Sequence, residues 1–308
     1  MKLYSKLALF IACALAFAAC SSDDDFKAGE WDGRANDAQV YFAADSISFS
    51  EILDPSDPTT KTFNVHRKDS VGALTVKFTA VENTDNVFTV SDAEFADGQR
   101  DATFTIKFDS ADVDKTYKLL LKAEGYNSSY ASESVLFAYS FLIEKWNDLG
   151  IGLYTDDIVA PLYGGEPISY EVKVIEKDSK PGLYRVIYPY GENYPYNEPG
   201  QWDDSKDYNL EIDATDPTSV FFLIQELGID WGYGMISAVS NAARYLAAGY
   251  SVKETKENGI EFGTLEDGII TFPVQGIVYF DNDGGIYTNR NGAFKLILPA
   301  KYATMEQE

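Results

Sequence analysis

Histidine, cysteine and basic charge are the scarce components of this 308-residue chain. It has one histidine, His66, and two cysteines, Cys13 and Cys20. Both cysteines fall within the first twenty residues, so the body of the chain has no disulfide and no thiolate zinc site. His66 sits in KTFNVHRKD, where Phe63 and Val65 alternate with polar neighbours, and its ring should point outward from a strand. That excludes Ser-His-Asp, Cys-His and multi-histidine metal chemistry. Lys and Arg number 25 against 49 Asp and Glu, a formal balance of −24. So acidic a surface repels phosphate backbones, which argues against nucleic acid and disfavours anionic polysaccharides. Neutral ligands, cations and proteins remain, and no cofactor is implied.

Long apolar runs are also missing, with one exception. Residues 7–17 are uninterruptedly apolar, follow Lys2 and Lys6, and lead into Ala18, Ala19 and Cys20. The stretch is too short for a membrane span and has the layout of a secretory signal over 1–19. Two small residues before a cysteine at the cleavage point read as a lipobox, so Cys20 is the expected lipidation site (palmitate and related chains). Multiple acyl chains make such an anchor stable, since each buried CH₂ contributes about 0.8 kcal/mol. SSDDD at 21–25 resembles the export signal of Bacteroidota surface lipoproteins. That resemblance implies an outer-membrane, cell-surface location, with 20–39 as an acidic tether.

Beyond residue 40 the texture is short, period-two runs broken by turn signals, which predicts an all-β chain. Predicted strands in the first half are 40–42, 47–51, 60–67, 74–79, 88–90, 102–108, 117–123 and 135–144. Their spacing points to an immunoglobulin-like sandwich over 40–145. WNDLGIGLYTDDIV at 146–159, rich in Gly and Asp, reads as a junction, with Trp146 packed into it. A second, mainly antiparallel β domain is expected over 146–302, with strands at 170–175, 184–188, 208–212, 220–224, 235–238, 269–272, 277–279 and 293–298. SNAARYLAA at 240–248 is the one helical signal, closed by Gly249.

The strongest candidate site is YPYGENYPYNEPGQW at 188–202. Prolines stiffen it, and rigid aromatic rings suit flat sugar faces while Asn, Glu and Gln meet hydroxyls. Tyr190, Tyr194, Tyr196 and Trp202 are therefore candidate ligand contacts, joined by Trp231 and Tyr233 of IDWGYG. The competing reading folds these rings back onto the core. Carboxylate-dependent glycoside hydrolysis needs two acids, but Asp156-Asp157 and Asp203-Asp204 are adjacent in sequence, and neighbours on a strand face opposite ways. No catalytic residue is singled out, and a non-enzyme is expected. DNDGG at 281–285 offers Asp281 and Asp283 as metal ligands, but its spacing suits a hairpin turn better. Ser46, Ser70 and Ser110 each follow an aspartate and resemble Bacteroidota O-glycosylation acceptors.

FADGQRDATFTIKF at 95–108 resembles Calx-β and related immunoglobulin-like modules. PGLYRVIYPY, IDWGYG, GIITFPVQG and NGAFKLILP resemble the C-terminal region of Bacteroidota surface lipoproteins associated with polysaccharide-uptake systems. These resemblances imply a lipid-anchored binder of neutral polysaccharide that serves an outer-membrane uptake complex. A structural or adhesive surface protein is the alternative, its aromatic loop then being a protein interface. A carboxylate-dependent glycosidase is the second.

Overall fold

The structure, a computed structural model, describes residues 39–124, 133–191, 194–196, 201–203, 205–206, 208–230, 232, 234–305 and 307. The leader, Cys20 and the tether lie outside these residues. Among those described, no helix is long and apolar enough to cross a membrane.

The all-β expectation holds, in two domains. The first contains β1 (Val40–Ala43), β2 (Ser48–Leu53), β3 (Thr60–Arg67), β4 (Leu74–Val76), β5 (Phe78–Asn83), β6 (Thr89–Val90), β7 (Ala93–Phe95), β8 (Asp101–Lys107), β9 (Thr116–Ala123), β10 (Glu133–Ser134) and β11 (Leu136–Ile143). Two sheets, ordered β10-β1-β3-β8-β6 and β2-β11-β9-β5, face each other, and β4 pairs with β7 apart from them. β2 joins β11 in parallel, whereas the other described pairings of this domain are antiparallel. Strict alternation buries Ala102, Phe104 and Ile106 on β8, and Phe137, Tyr139, Phe141 and Ile143 on β11. Their rings interlock, with Phe108 and Phe141 centroids 4.2 Å apart. The predicted strand 74–79 is split at Lys77, because the chain there leaves the β7 partner for β9.

One side chain breaks the apolar rule. Arg67 ends β3 only 1 % exposed. Its guanidinium donates to the backbone carbonyls of Gln99 (2.6 Å), Gly72 (2.8 Å), Ala96 (2.9 Å) and Ser70 (3.1 Å). It also lies 5.1 Å from the Phe95 ring centre. The rigid fork of arginine thus ties together two turns that have little apolar material of their own.

The second domain contains β12 (Trp146–Asp156), α1 (Val159–Gly164), β13 (Ile168–Lys177), β14 (Leu183–Val186), β15 (Leu210–Asp213), β16 (Gln225–Asp230), β17 (Met235–Ser240), α2 (Asn241–Ala247), α3 (Val252–Glu257), β18 (Thr264–Glu266), β19 (Ile269–Thr271), β20 (Ile277–Phe280), β21 (Ile286–Thr288), β22 (Lys295–Ile297) and α4 (Pro299–Met305). Its sheets run β15-β14-β13-β12-β22-β19-β18 and β16-β17-β20-β21. The main core of this domain spans Tyr154 to Leu298, separate from the core of the first, with a small cluster of Val239, Ala243 and Val278 beside it.

The junction expected at 146–159 is instead the longest strand, β12, at the centre of the larger sheet. Its glycines misled the reading, because Gly152 serves close approach and Gly150 a bulge, rather than a turn. A Cβ on Gly152 would sit 2.5 Å from the Ile297 carbonyl oxygen, and Gly150 (φ +97°) follows a bulge at Asp148. Gly152→Ala is expected to push β12 from β22 and cost about 1–3 kcal/mol, seen as a lower unfolding midpoint of this domain alone.

One further expectation shifts and one holds. The predicted strand 220–224 makes only isolated bridges, and the ladder continues instead at β16, which the sequence reading omitted. The helix at 240–248 stands as α2, with Ser240 accepting from the Ala243 amide and Gly249 at φ +95° beyond its end.

At the seam between domains, Lys177 of β13 pairs with Asp114 (3.0 Å) and Glu144 (2.8 Å). Arg185 lies 3.9 Å from the centre of the Trp146 ring, whose indole N–H donates to Glu144. Trp146 is half-buried there as a packing residue. Burial pushes the Glu144 carboxyl up, but hydrogen bonds from Lys177 and Trp146 and the nearby cations outweigh it, leaving it below the usual value.

Candidate functional site

The 188–202 segment leaves β14 through Tyr188, which is held at φ +47°. This left-handed turn sends the aromatics in two directions. Tyr190 and Tyr194 turn inward and are 0 % and 6 % exposed. Tyr188 and Trp202 stay half-buried on the outside.

The inward pair enters a polar cluster inside the core. Asp156, at the end of β12, is fully buried, and its carboxylate is surrounded by donors. The amides of Ile158 and Val159 donate at 3.0 Å each and that of Ala160 at 2.6 Å, which caps the start of α1. Tyr194 (2.6 Å) and Tyr190 (3.1 Å) donate their hydroxyls to it as well. Tyr190 in turn shares hydrogen bonds with Tyr154 (3.1 Å) and Tyr279 (2.8 Å). Desolvation raises the Asp156 carboxyl, partly opposed by its hydrogen bonds. Burial and the nearby Asp156 charge push the Tyr190 hydroxyl far up, so it stays a donor. Tyr190 and Tyr194 as ligand platforms are therefore corrected. Their ring faces are spent on Tyr154, Tyr170, Tyr279 and each other.

The outward pair lines a hollow of about 930 Å³. Its loop side is formed by Tyr188, Pro189, Gly191, Trp202 and the edge of Tyr194, and its sheet side by Tyr170 to Lys173 of β13 and Ile151 of β12. The Tyr188 and Trp202 rings meet edge to face with centroids 6.2 Å apart, and Tyr188 stacks on Tyr208 from behind. The Tyr188 hydroxyl donates to the Asp203 carbonyl, and Tyr208 donates to the Asp203 carboxylate. Those bonds fix the rings before any ligand arrives. Charge at the rim comes from Glu171 and from Lys173, which pairs with Asp148 at 2.9 Å.

The remaining candidates are placed as follows. Tyr196 is half-buried and meets Tyr194 edge to face, centroids 6.2 Å apart. Trp231, Tyr233 and Asp204 lie outside the described residues. Asp156 and Asp157 do face opposite ways. Asp157 accepts from the amides of Asn291 (3.2 Å) and Ala293 (3.0 Å) and from the Asn291 side chain (2.9 Å), and so ties down the 291–293 loop. Asp281 accepts from the amides of Asp283 and Gly285, forming the hairpin turn between β20 and β21. As metal ligands Asp281 and Asp283 are corrected on that geometry. Among the described residues no group of three or more His, Cys, Asp or Glu could hold a metal ion. Ser110 is exposed, and Ser46 and Ser70 are half-buried. His66 is half-buried and meets Asp101 at 2.6 Å beside the Tyr41 ring. Sequence reasoning missed Tyr170, Glu171 and Lys173, which come from a strand with ordinary alternation and become site residues only through β13's position beside the loop.

No protein-family model matches the chain, and no curated protein matches it. Two solved structures from Bacteroides are similar to it. One, from Bacteroides ovatus, is provisionally named a carbohydrate-binding protein. It is 12 % identical, with 84 % of this chain and 98 % of that one covered and a TM-score of 0.28. The other is a two-domain Bacteroides fragilis protein of unknown function, 7 % identical, with coverage of 85 % and 84 % and a TM-score of 0.30. Identities and scores this low transfer no residue role.

Proposed function

We propose that this chain binds neutral glycan without catalysis, at the surface of the cell that makes it, held there by acyl chains on Cys20 and serving an uptake complex. The observation that carries the reading is the hollow of about 930 Å³ whose outer wall is the pre-set Tyr188–Trp202 pair. Half-buried rings offer apolar faces to sugar C–H groups, and Glu171 beside them offers an acceptor to hydroxyls. The acidic chain favours uncharged saccharides over uronic acids or sulfated ones. Neither adjacent-aspartate pair supports hydrolysis, since Asp156 and Asp157 are consumed by separate structural networks and Asp203 holds Tyr208.

Calorimetry against a panel of soluble plant, host and microbial polysaccharides tests the reading. Binding to at least one neutral polymer is expected, with Trp202→Ala and Tyr188→Ala each weakening it about tenfold or more. Silence across the panel, or unchanged affinity in both variants at an unchanged melting temperature, would overturn it. Mass spectrometry of the native protein tests the anchor, the expected finding being an acylated N-terminal Cys20.

A protein-interface reading has its own support elsewhere on the domain. Leu223 and Ile224 are adjacent, 58 % and 64 % exposed, and border a separate hollow of about 390 Å³. A stoichiometric co-purifying protein lost on changing both to serine would favour it.

A further inference from the structure

The hollow beside the aromatic loop does not end at β13. Ile151 and Glu171 line it and also line a second hollow, of about 530 Å³, on its far side. The second one is completed by Leu149 of β12 and by Pro299, Tyr302 and Ala303 of α4. The two are therefore one trough. Its floor is the β12–β13 ladder, in which Ile151 stands opposite Lys173 and Leu153 opposite Glu171. One wall is formed by Tyr188, Pro189, Gly191 and Trp202 and the other by α4. Three positions across the sheet separate those walls, from the end of β14 over β13 and β12, which is about 10–15 Å at the usual strand spacing.

We propose that this trough is an extended site for a chain of neutral sugars, with Glu171 at its middle and Tyr302 as its second aromatic contact. The proposal rests on the glycan reading of the loop and adds the length and path of the ligand. A single ring stacked at Trp202 would leave the α4 half filled with water over exposed apolar surface. Ile151 is 48 % exposed and Leu149 36 %, side by side on a strand that could have carried polar residues there. Covering them with the C–H faces of further sugars gains free energy that one sugar forgoes. Glu171 is placed to serve two successive sugars, since it borders both halves and its carboxylate accepts from the Tyr302 hydroxyl at 3.1 Å. That bond sets Tyr302 at the second half as the Asp203 carbonyl sets Tyr188 at the first. Negative charge at the centre turns away acidic polymers and leaves hydroxyl donors welcome.

Cello-, xylo-, manno- and laminari-oligosaccharides, from the monosaccharide to the hexasaccharide, are titrated calorimetrically into the full chain. In the series that binds, affinity should rise about tenfold or more between the disaccharide and the tetra- or pentasaccharide, then level off. Tyr302→Ala should remove most of that rise while leaving disaccharide binding as in the parent, and Glu171→Gln, which borders both halves, should remove most of the rise and also weaken the disaccharide. Trp202→Ala should weaken every length. Equal melting temperatures confirm that α4 still docks, and the isosteric Glu171→Gln covers the case in which Tyr302→Ala unseats it. Affinity independent of length, or a rise that survives both changes, overturns the extended site while sparing the loop reading. No binding in any series, together with silence from the polymer panel, overturns both.

Discussion

Replacing Asp156 by alanine is expected to unfold the second domain while the first stays folded, visible in calorimetry as the loss of one of two transitions. The carboxylate receives five hydrogen bonds, from the Ile158, Val159 and Ala160 amides and the Tyr190 and Tyr194 hydroxyls. Removing it deprives the three amides and the Tyr194 hydroxyl of this acceptor in a buried setting, while Tyr190 keeps Tyr154 and Tyr279 as partners. Losses of this type cost about 3–5 kcal/mol, a large share of a domain's usual margin of about 5–15 kcal/mol. Asp156→Asn should cost less, because one oxygen survives to accept from the Ile158 and Val159 amides. The amide nitrogen it brings would face the donors Ala160 and Tyr194. Both changes loosen the anchorage of Tyr190 and Tyr194 and should thereby weaken the glycan binding proposed at Trp202.

The same residue sets a pH dependence. Desolvation holds the folded Asp156 carboxyl above its ordinary value of 3.8. A carboxyl with a raised folded value binds its proton more tightly when folded than when unfolded. Its contribution to stability is therefore greatest below pH 3.8, declines as pH rises through the elevated folded value, and is constant above it. Asp156→Asn removes this titration. The stability difference between parent and variant should then shrink as pH rises across that window. Urea unfolding at stepped pH, followed by the second domain's signal, checks it. A difference independent of pH would mean that the group does not titrate.

The second large effect is expected in the first domain. Arg67→Met should destabilise it by about 3–5 kcal/mol, although methionine fits the volume. Four backbone carbonyls take donors from this guanidinium, and those of Ser70 and Ala96 have a second each, the Gly98 and Gln99 amides. Arg67→Lys should recover little, because an ammonium cannot fork across four carbonyls on two turns. Denaturant titration of the full chain should show the first transition moving and the second unmoved. Full recovery by lysine would show that charge alone, and not the fork, is what the site needs.

The alternation of polar and apolar residues is a local signal, and it placed most first-domain strands within a residue or two. Phe104, Phe137 and Phe141 point inward because the period-two rule leaves them no other way to face. The rule failed where backbone approach outweighed side-chain pattern. Gly150 and Gly152 look like a turn in sequence but lie at the heart of a sheet, where a neighbouring carbonyl occupies the Cβ space of Gly152 and Gly150 takes a positive φ after a bulge. Arg67 failed it in the other direction, as a charged residue read as a strand end and found to be the bracket of two turns.

The loop at 188–202 shows the same division for function. Its composition marked it as an aromatic, stiff segment, and nothing local says which ring faces out. Tyr188 and Tyr190 are two residues apart, yet one lines a hollow and the other is sealed beneath it. That choice depends on Asp156, some thirty residues earlier in the chain, whose buried charge requires donors and takes them from Tyr190 and Tyr194.

Composition and local pattern thus settled the all-β class, the acidic character and the chemistries that one histidine cannot support, because each depends only on which residues are present and on a short repeat. The partition of aromatics into core and groove, the joining of two hollows across β12 and β13, and the central place of a glycine-rich strand were decided by tertiary contacts. Those contacts join residues far apart in the chain, and their geometry is fixed only when the sheet assembles.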